Sequence, residues 1–93
     1  MRILTLLLIA ALVLPLLVAQ TKADDRIYDE VRRKLANDPD VKGAAFEVAV
    51  KDGVVTLRGR VHNDHAREKA EKITKKIKGV VSVDNKLTLF GKE

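Results

Sequence analysis

Between Phe46 and Val61 apolar and polar residues alternate on both sides of Asp52-Gly53, a pattern that predicts a β-hairpin. Phe46, Val48 and Val50 recur at every second position before the turn, and Val55, Leu57, Gly59 and Val61 do so after it. Each strand therefore has one apolar face. Asp-Gly suits a two-residue type I′ turn, whose central residues both need positive φ. Upstream the period changes. Ile27, Val31 and Leu35 lie at i, i+4 and i+8, which predicts a helix capped by Asp24 or Asp25. Asn37-Asp38-Pro39 ends it, because proline pushes the residue before it out of the helical region, and Gly43 adds a flexible point.

Downstream, Ala66, Ala70, Ile73 and Ile77 share one face of a second helix that starts near Asn63-Asp64 and meets Gly79, a residue type favoured just past a helix end. Glu68 to Lys72 and Glu71 to Lys75 are i, i+4 pairs in the favourable orientation, contributing ~0.2–0.5 kcal/mol each in an isolated helix. From Val81 to Leu89 the alternation resumes, with Val81, Val83, Leu87 and Leu89 against Ser82, Asp84, Lys86 and Thr88. Asn85 interrupts the inward series.

The order helix, strand, strand, helix, strand defines an α+β fold. A right-handed crossover returns the third strand parallel to the second, and both helices cover the single apolar face of a three-stranded mixed sheet. The expected strand order is 1-2-3, although 2-1-3 also satisfies the pattern. Ile27, Val31, Leu35, Val48, Val50, Val55, Leu57, Val61, Ile73, Ile77, Val81, Val83, Leu87 and Leu89 are expected in the core. A domain this small buries only ~60% of its unfolded surface, so these side chains are committed to packing. They leave no room for a buried cofactor pocket of the usual ~300 Å³.

The hairpin Phe46–Val61 with its Asp52-Gly53 turn, flanked by two helix patterns and followed by Gly79-Val80-Val81-Ser82-Val83-Asp84-Asn85-Lys86-Leu87, resembles the BON domain, named for bacterial osmotic-stress and nodulation proteins. The likeness runs from about Asp25 to Leu89. It implies a non-catalytic module that attaches to phospholipid membranes and maintains the envelope under osmotic stress. A glycine on the apolar side of a strand permits close approach of a helix or creates a bulge, and in the family pattern the glycine of Val-Thr-Leu-Arg-Gly, here Gly59, is usual, which fits a packing role.

Composition modifies this picture at the N-terminus. Arg2 precedes an apolar run from Ile3 to Ala19 broken by Thr5 and Pro15, and Thr21-Lys22-Ala23 offers small residues at both positions a signal peptidase reads. Residues 1–23 are expected to be a signal peptide and 24–93 a single domain. A cut after Ala19 would place bulky Leu17 three residues back. An uncleaved anchor is the other alternative, since the 17-residue run meets the lower limit of the ~17–25 residues needed to span a bilayer. Either way the domain is exported, to the periplasm or to the inner membrane. Removing residues 1–23 takes away Arg2 and Lys22 and no acid, leaving 16 basic and 13 acidic side chains, a net of +3. With no cysteine there is neither a disulfide nor a lipidation site of the lipobox type.

No catalytic constellation competes with a binding role. His62 and His65 stand three apart without a third ligand in register, short of what a catalytic zinc needs. Ser82 is the only serine and sits on a strand's polar side without a histidine at a suggestive spacing. Asp24-Asp25 and Asp38/Asp40 read as cap and turn residues. The glycines form no phosphate-cradling motif, and aromatics for base stacking are scarce, which argues against nucleic acid. Neither a cofactor, a metal nor a small-molecule substrate is expected.

The candidate functional residues are therefore on the surface. On the first helix they are Arg26, Tyr28, Arg32 and Arg33, with Asp29 also facing outward; on the uncovered sheet face they are Lys51, Arg58, Arg60 and Lys86, among Glu47, Thr56 and Asp84. Lysines 69, 72, 75, 76 and 78 decorate the second helix. Asp52, Gly53, Gly59, Gly79 and Asn85 are expected to be structural. The partner expected is an anionic phospholipid surface; the alternative is an envelope protein or client, gripped by the exposed sheet face or an edge strand.

Overall fold

The computed structural model describes residues 21–91. Apart from its last residues, the expected leader lies outside the described residues. Helix α1 (Lys22–Asn37) leads through a 3-10 turn (Gly43–Ala45) into β1 (Glu47–Lys51) and β2 (Val54–Val61); α2 (Asp64–Lys75) and β3 (Ser82–Leu89) follow. The sheet order is β1-β2-β3, with β1 antiparallel and β3 parallel to β2, the first of the two orders expected.

Register explains the layering. Val48 and Val50 of β1 pair with Leu57 and Val55 of β2, which pair in turn with Asn85 and Val83 of β3. This row meets Ile27, Val31 and Leu35 of α1 and Ala66 and Ala70 of α2, so one sheet face carries the core. Burying an aliphatic side chain of this kind stabilises by about 1.5–3 kcal/mol, and α1 supplies three of them to the cluster. Asp52 (φ 52°) and Gly53 (φ 79°) both hold the positive φ expected of the hairpin turn.

Five details depart from expectation. First, α1 begins at Lys22 and its cap is Thr21, whose Oγ1 accepts the Asp24 N–H at 3.1 Å. A cut after Ala23 would therefore remove the cap and the first two residues of the helix. Second, Asp24 is buried, and its carboxylate accepts the backbone N–H of Asp52 at 3.0 Å and of Gly53 at 3.1 Å. It ties helix to hairpin.

Third, the buried row of α2 is Ala66, Ala70 and Thr74, while Ile73 is only half-buried. Thr74 Oγ1 donates to the Ala70 carbonyl at 2.8 Å, so its hydroxyl enters the core already satisfied. The helix also stops at Lys75, short of Gly79. Bonds from Lys76 N–H to Ile73 and from Ile77 N–H to Thr74 tighten the chain, which delivers Ile77 to the core.

Fourth, Val81 is 74% exposed and precedes β3, because β2 begins at Val54, whose partner is Ser82. Val48, Val83 and Leu89 are half-buried, and Val41 and Phe46 join the core in compensation. Fifth, it is not a helix that Gly59 admits. A Cβ there would lie 2.8 Å from Phe46 Cδ1, and one at Gly43 would lie 2.9 Å from the other edge of the ring. Phe46 is held between two glycines.

Candidate functional site

The two expected surfaces meet at the edge strand. Tyr28 and Arg32 of α1, Glu47 and Ala49 of β1, and Thr56 and Arg58 of β2 line an open groove of about 300 Å³ that wraps the β1 edge. Arg32 is fixed there: one guanidinium nitrogen donates to the Phe46 carbonyl at 3.0 Å, and its carbon lies 5.7 Å from the centroid of the Tyr28 ring. Arg58 arrives from the sheet, opposite Glu47 on β1 and Lys86 on β3. Two guanidiniums and a phenol thus face a shallow groove with a single carboxylate on its wall. Guanidinium forks suit phosphate or carboxylate oxygens.

The remaining expected residues disperse. Arg26 donates to the Lys78 carbonyl at 2.7 Å and pairs with Glu30 at 3.4 Å, which makes it a staple between α1 and the segment before β3. Arg33 lines a different groove with Lys34, Ile73 and Lys76. Lys51 stands at the hairpin turn, whereas Arg60 lies near the opposite end of β2, 6.0 Å from the Phe90 ring centroid. Lys86 pairs with Asp84 at 3.7 Å.

Asn85 is held by hydrogen bonds through both polar atoms of its amide. Its Nδ2 donates to the Arg67 carbonyl of α2 at 3.0 Å, and its Oδ1 accepts the Leu87 N–H at 3.2 Å. The inward asparagine anchors α2 and uses up a backbone donor of the outer strand. Edge strands are blunted by devices of this type.

An electrostatic cluster away from the groove joins α2 to the turn after α1. Lys69 Nζ lies 3.1 Å from Asp38 Oδ2 and 2.6 Å from Asp40 Oδ2. Desolvation pushes the Asp38 carboxyl up, but hydrogen bonds from Lys69 and from the Asp40 and Val41 amides outweigh it and hold its pKa below the usual 3.8. Hydrogen bonds to Asp40 and then Asp38 raise the Lys69 pKa above 10.5. The histidines separate: His65 faces Asp40 at 3.9 Å, and the His62 ring lies 5.0 Å from that of Phe90. Among the described residues no three His, Cys, Asp or Glu side chains converge as a metal site.

Sequence reasoning missed the exposure of Val81 and Phe90, and it kept Tyr28 and Arg58 on separate surfaces. Only the position of α1 beside β1 joins them.

What these features define is a small two-layer α+β module with its core filled and its charged groups on the outside. Residues 23–89 match the family model of the BON domain, and the chain belongs to that family, which is known in envelope and osmotic-stress proteins and for phospholipid binding. No curated protein matches the chain.

Proposed function

We propose that this is a non-catalytic periplasmic envelope protein whose BON domain associates weakly with anionic phospholipid surfaces, in envelope maintenance or the response to osmotic stress. The observation that carries this reading is the edge groove, where Arg32, Arg58 and Tyr28 present donors to an anion from a shallow, open surface. Membership of the BON family supports it independently.

Magnitudes set the kind of binding. A basic side chain near an anionic bilayer is worth ~1 kcal/mol, so four of them give ~4 kcal/mol, which is millimolar affinity. Charge alone makes a transient contact. Stable attachment needs an additional apolar contact or a retained leader.

Flotation of residues 20–93 with vesicles containing phosphatidylglycerol tests the reading. The protein should float at low salt, less at high salt, and less after Arg58→Ala or Tyr28→Ser. Absence of flotation at low salt refutes it and favours a protein-interaction module acting through the exposed face around Ala49, Thr56 and Thr88.

A further inference from the structure

Three separate segments converge at one end of the domain. The start of α1 is bound to the hairpin turn through Asp24, which accepts from the Asp52 and Gly53 amides. The segment before β3 is bound to the same turn, since the Val81 N–H donates to the Gly53 carbonyl at 2.8 Å. It is bound to α1 as well, through Arg26 and the Lys78 carbonyl. These bonds fix the spatial relation of Thr21, residues 51–54 and residues 78–81.

We propose that this pole is the face of the domain that rests on a lipid bilayer, with Val81 at the interface and Lys22, Lys51 and Lys78 among the headgroups. The inference rests on the lipid reading above and adds which way the domain is turned.

Two observations carry it. Val81 is the most exposed large apolar side chain among the described residues, at 74%, and Val54, at 38%, begins β2 directly after the hairpin turn to which the Val81 N–H is bonded. Lys22, Lys51 and Lys78 are exposed on the same three segments, beside the exposed acids Asp25 and Asp52, while Arg26 is taken up by Glu30 and the Lys78 carbonyl. An exposed apolar side chain on a segment flanked by lysines suits an anionic interface, where lysine stems pack on acyl chains and ammonium groups stay at the headgroups.

The second observation is where the chain enters. The apolar run ends at Ala19, and only Gln20 separates it from the cap Thr21. One residue spans at most about 3.6 Å. In the uncleaved form, a run held in the bilayer brings this pole to the surface, while the far end of the eight-residue β2 stands about 23 Å away at ~3.3 Å per residue. The pole also continues into the groove, because Ala49 and Thr56 line both the groove and a depression beside Lys51, Asp52 and Val54. Headgroups met at the pole are thus within reach of Arg58.

The chain has no cysteine, so single thiols can be introduced cleanly. The full chain is reconstituted into vesicles of phosphatidylethanolamine with a quarter phosphatidylglycerol, carrying Val81→Cys, Glu68→Cys or Thr88→Cys labelled with an environment-sensitive dye. The Val81 probe should shift to the blue and be shielded from aqueous iodide several-fold better than the probes on α2 and at the far end of the sheet. Equal quenching at all three positions overturns the proposal. If residues 20–93 float while the Val81 probe stays accessible, the pole is wrong and the lipid reading stands. If they do not float but the Val81 probe is shielded in the full chain, the orientation stands and independent lipid affinity is refuted.

Discussion

The Asp24 carboxylate accepts the backbone N–H of Gly53 at 3.1 Å, joining the first turn of a helix to a hairpin turn 29 residues away. The other carboxylate oxygen takes the neighbouring Asp52 amide. Asp24 itself is buried, so each bond is a charge-assisted contact shielded from water. Hydrogen bonds to a charged group contribute about 1.5–3 kcal/mol, and a buried amide left without a partner adds a penalty. Asp24→Ala is expected to cost about 2–3 kcal/mol in urea unfolding. Asp24→Asn should cost nearly as much, because its amide nitrogen would face an N–H donor. If Asp24→Asn retains wild-type stability, the charged latch is unimportant.

Gly59→Ala tests the seat of Phe46. The new Cβ would stand 2.8 Å from the Phe46 ring on a backbone with φ +146°, where L residues are strained. Strain and overpacking together predict a loss of about 1–3 kcal/mol. Phe46→Leu in the same chain should return only the steric part. Full recovery of the thermal midpoint in the double variant would show that backbone strain contributes nothing.

The contacts of Lys69 with Asp38 and Asp40 predict a pH signature. Asp38 has a lowered pKa, so its contribution is present above its unfolded value of 3.8 and disappears as pH falls through the lower folded value. Lys69 has a raised pKa, so its contribution is intact below 10.5 and disappears as pH rises through the higher folded value. The thermal midpoints of wild type and Lys69→Met should therefore differ around neutrality and converge at both extremes. A constant gap across that range would contradict the assignment.

The hairpin and the order of elements were readable from the sequence because alternation, helical periodicity and an Asp-Gly turn are local signals. The errors share one cause. Asp24 and Thr21 are both good cap formers, and the real partners of the Asp24 side chain lie 28 and 29 residues away. Val81 continues the alternating phase, but nothing local reveals that β2 begins opposite Ser82. Thr74 resembles a surface residue until its hydroxyl bonds the carbonyl one turn back. The candidate site was legible as residue types and not as a place: Tyr28, Arg32 and Arg58 were all singled out, on two different surfaces.

Taken by itself, the amino-acid order determined which segments are rods and which are ribbons, where the hairpin turns, and that the aliphatic side chains would be consumed by a single core. Those properties follow from dihedral preferences and from periodicity, which act over a few residues. Tertiary structure alone decided which charges remain on display and which become staples. Arg26 binds the Lys78 carbonyl and becomes a staple, while Arg32, anchored through the Phe46 carbonyl, and Arg58, carried by its strand, meet Tyr28 at the groove. The physical reason is that a side chain's role depends on the groups within a few ångströms of it, and here those groups come from other elements.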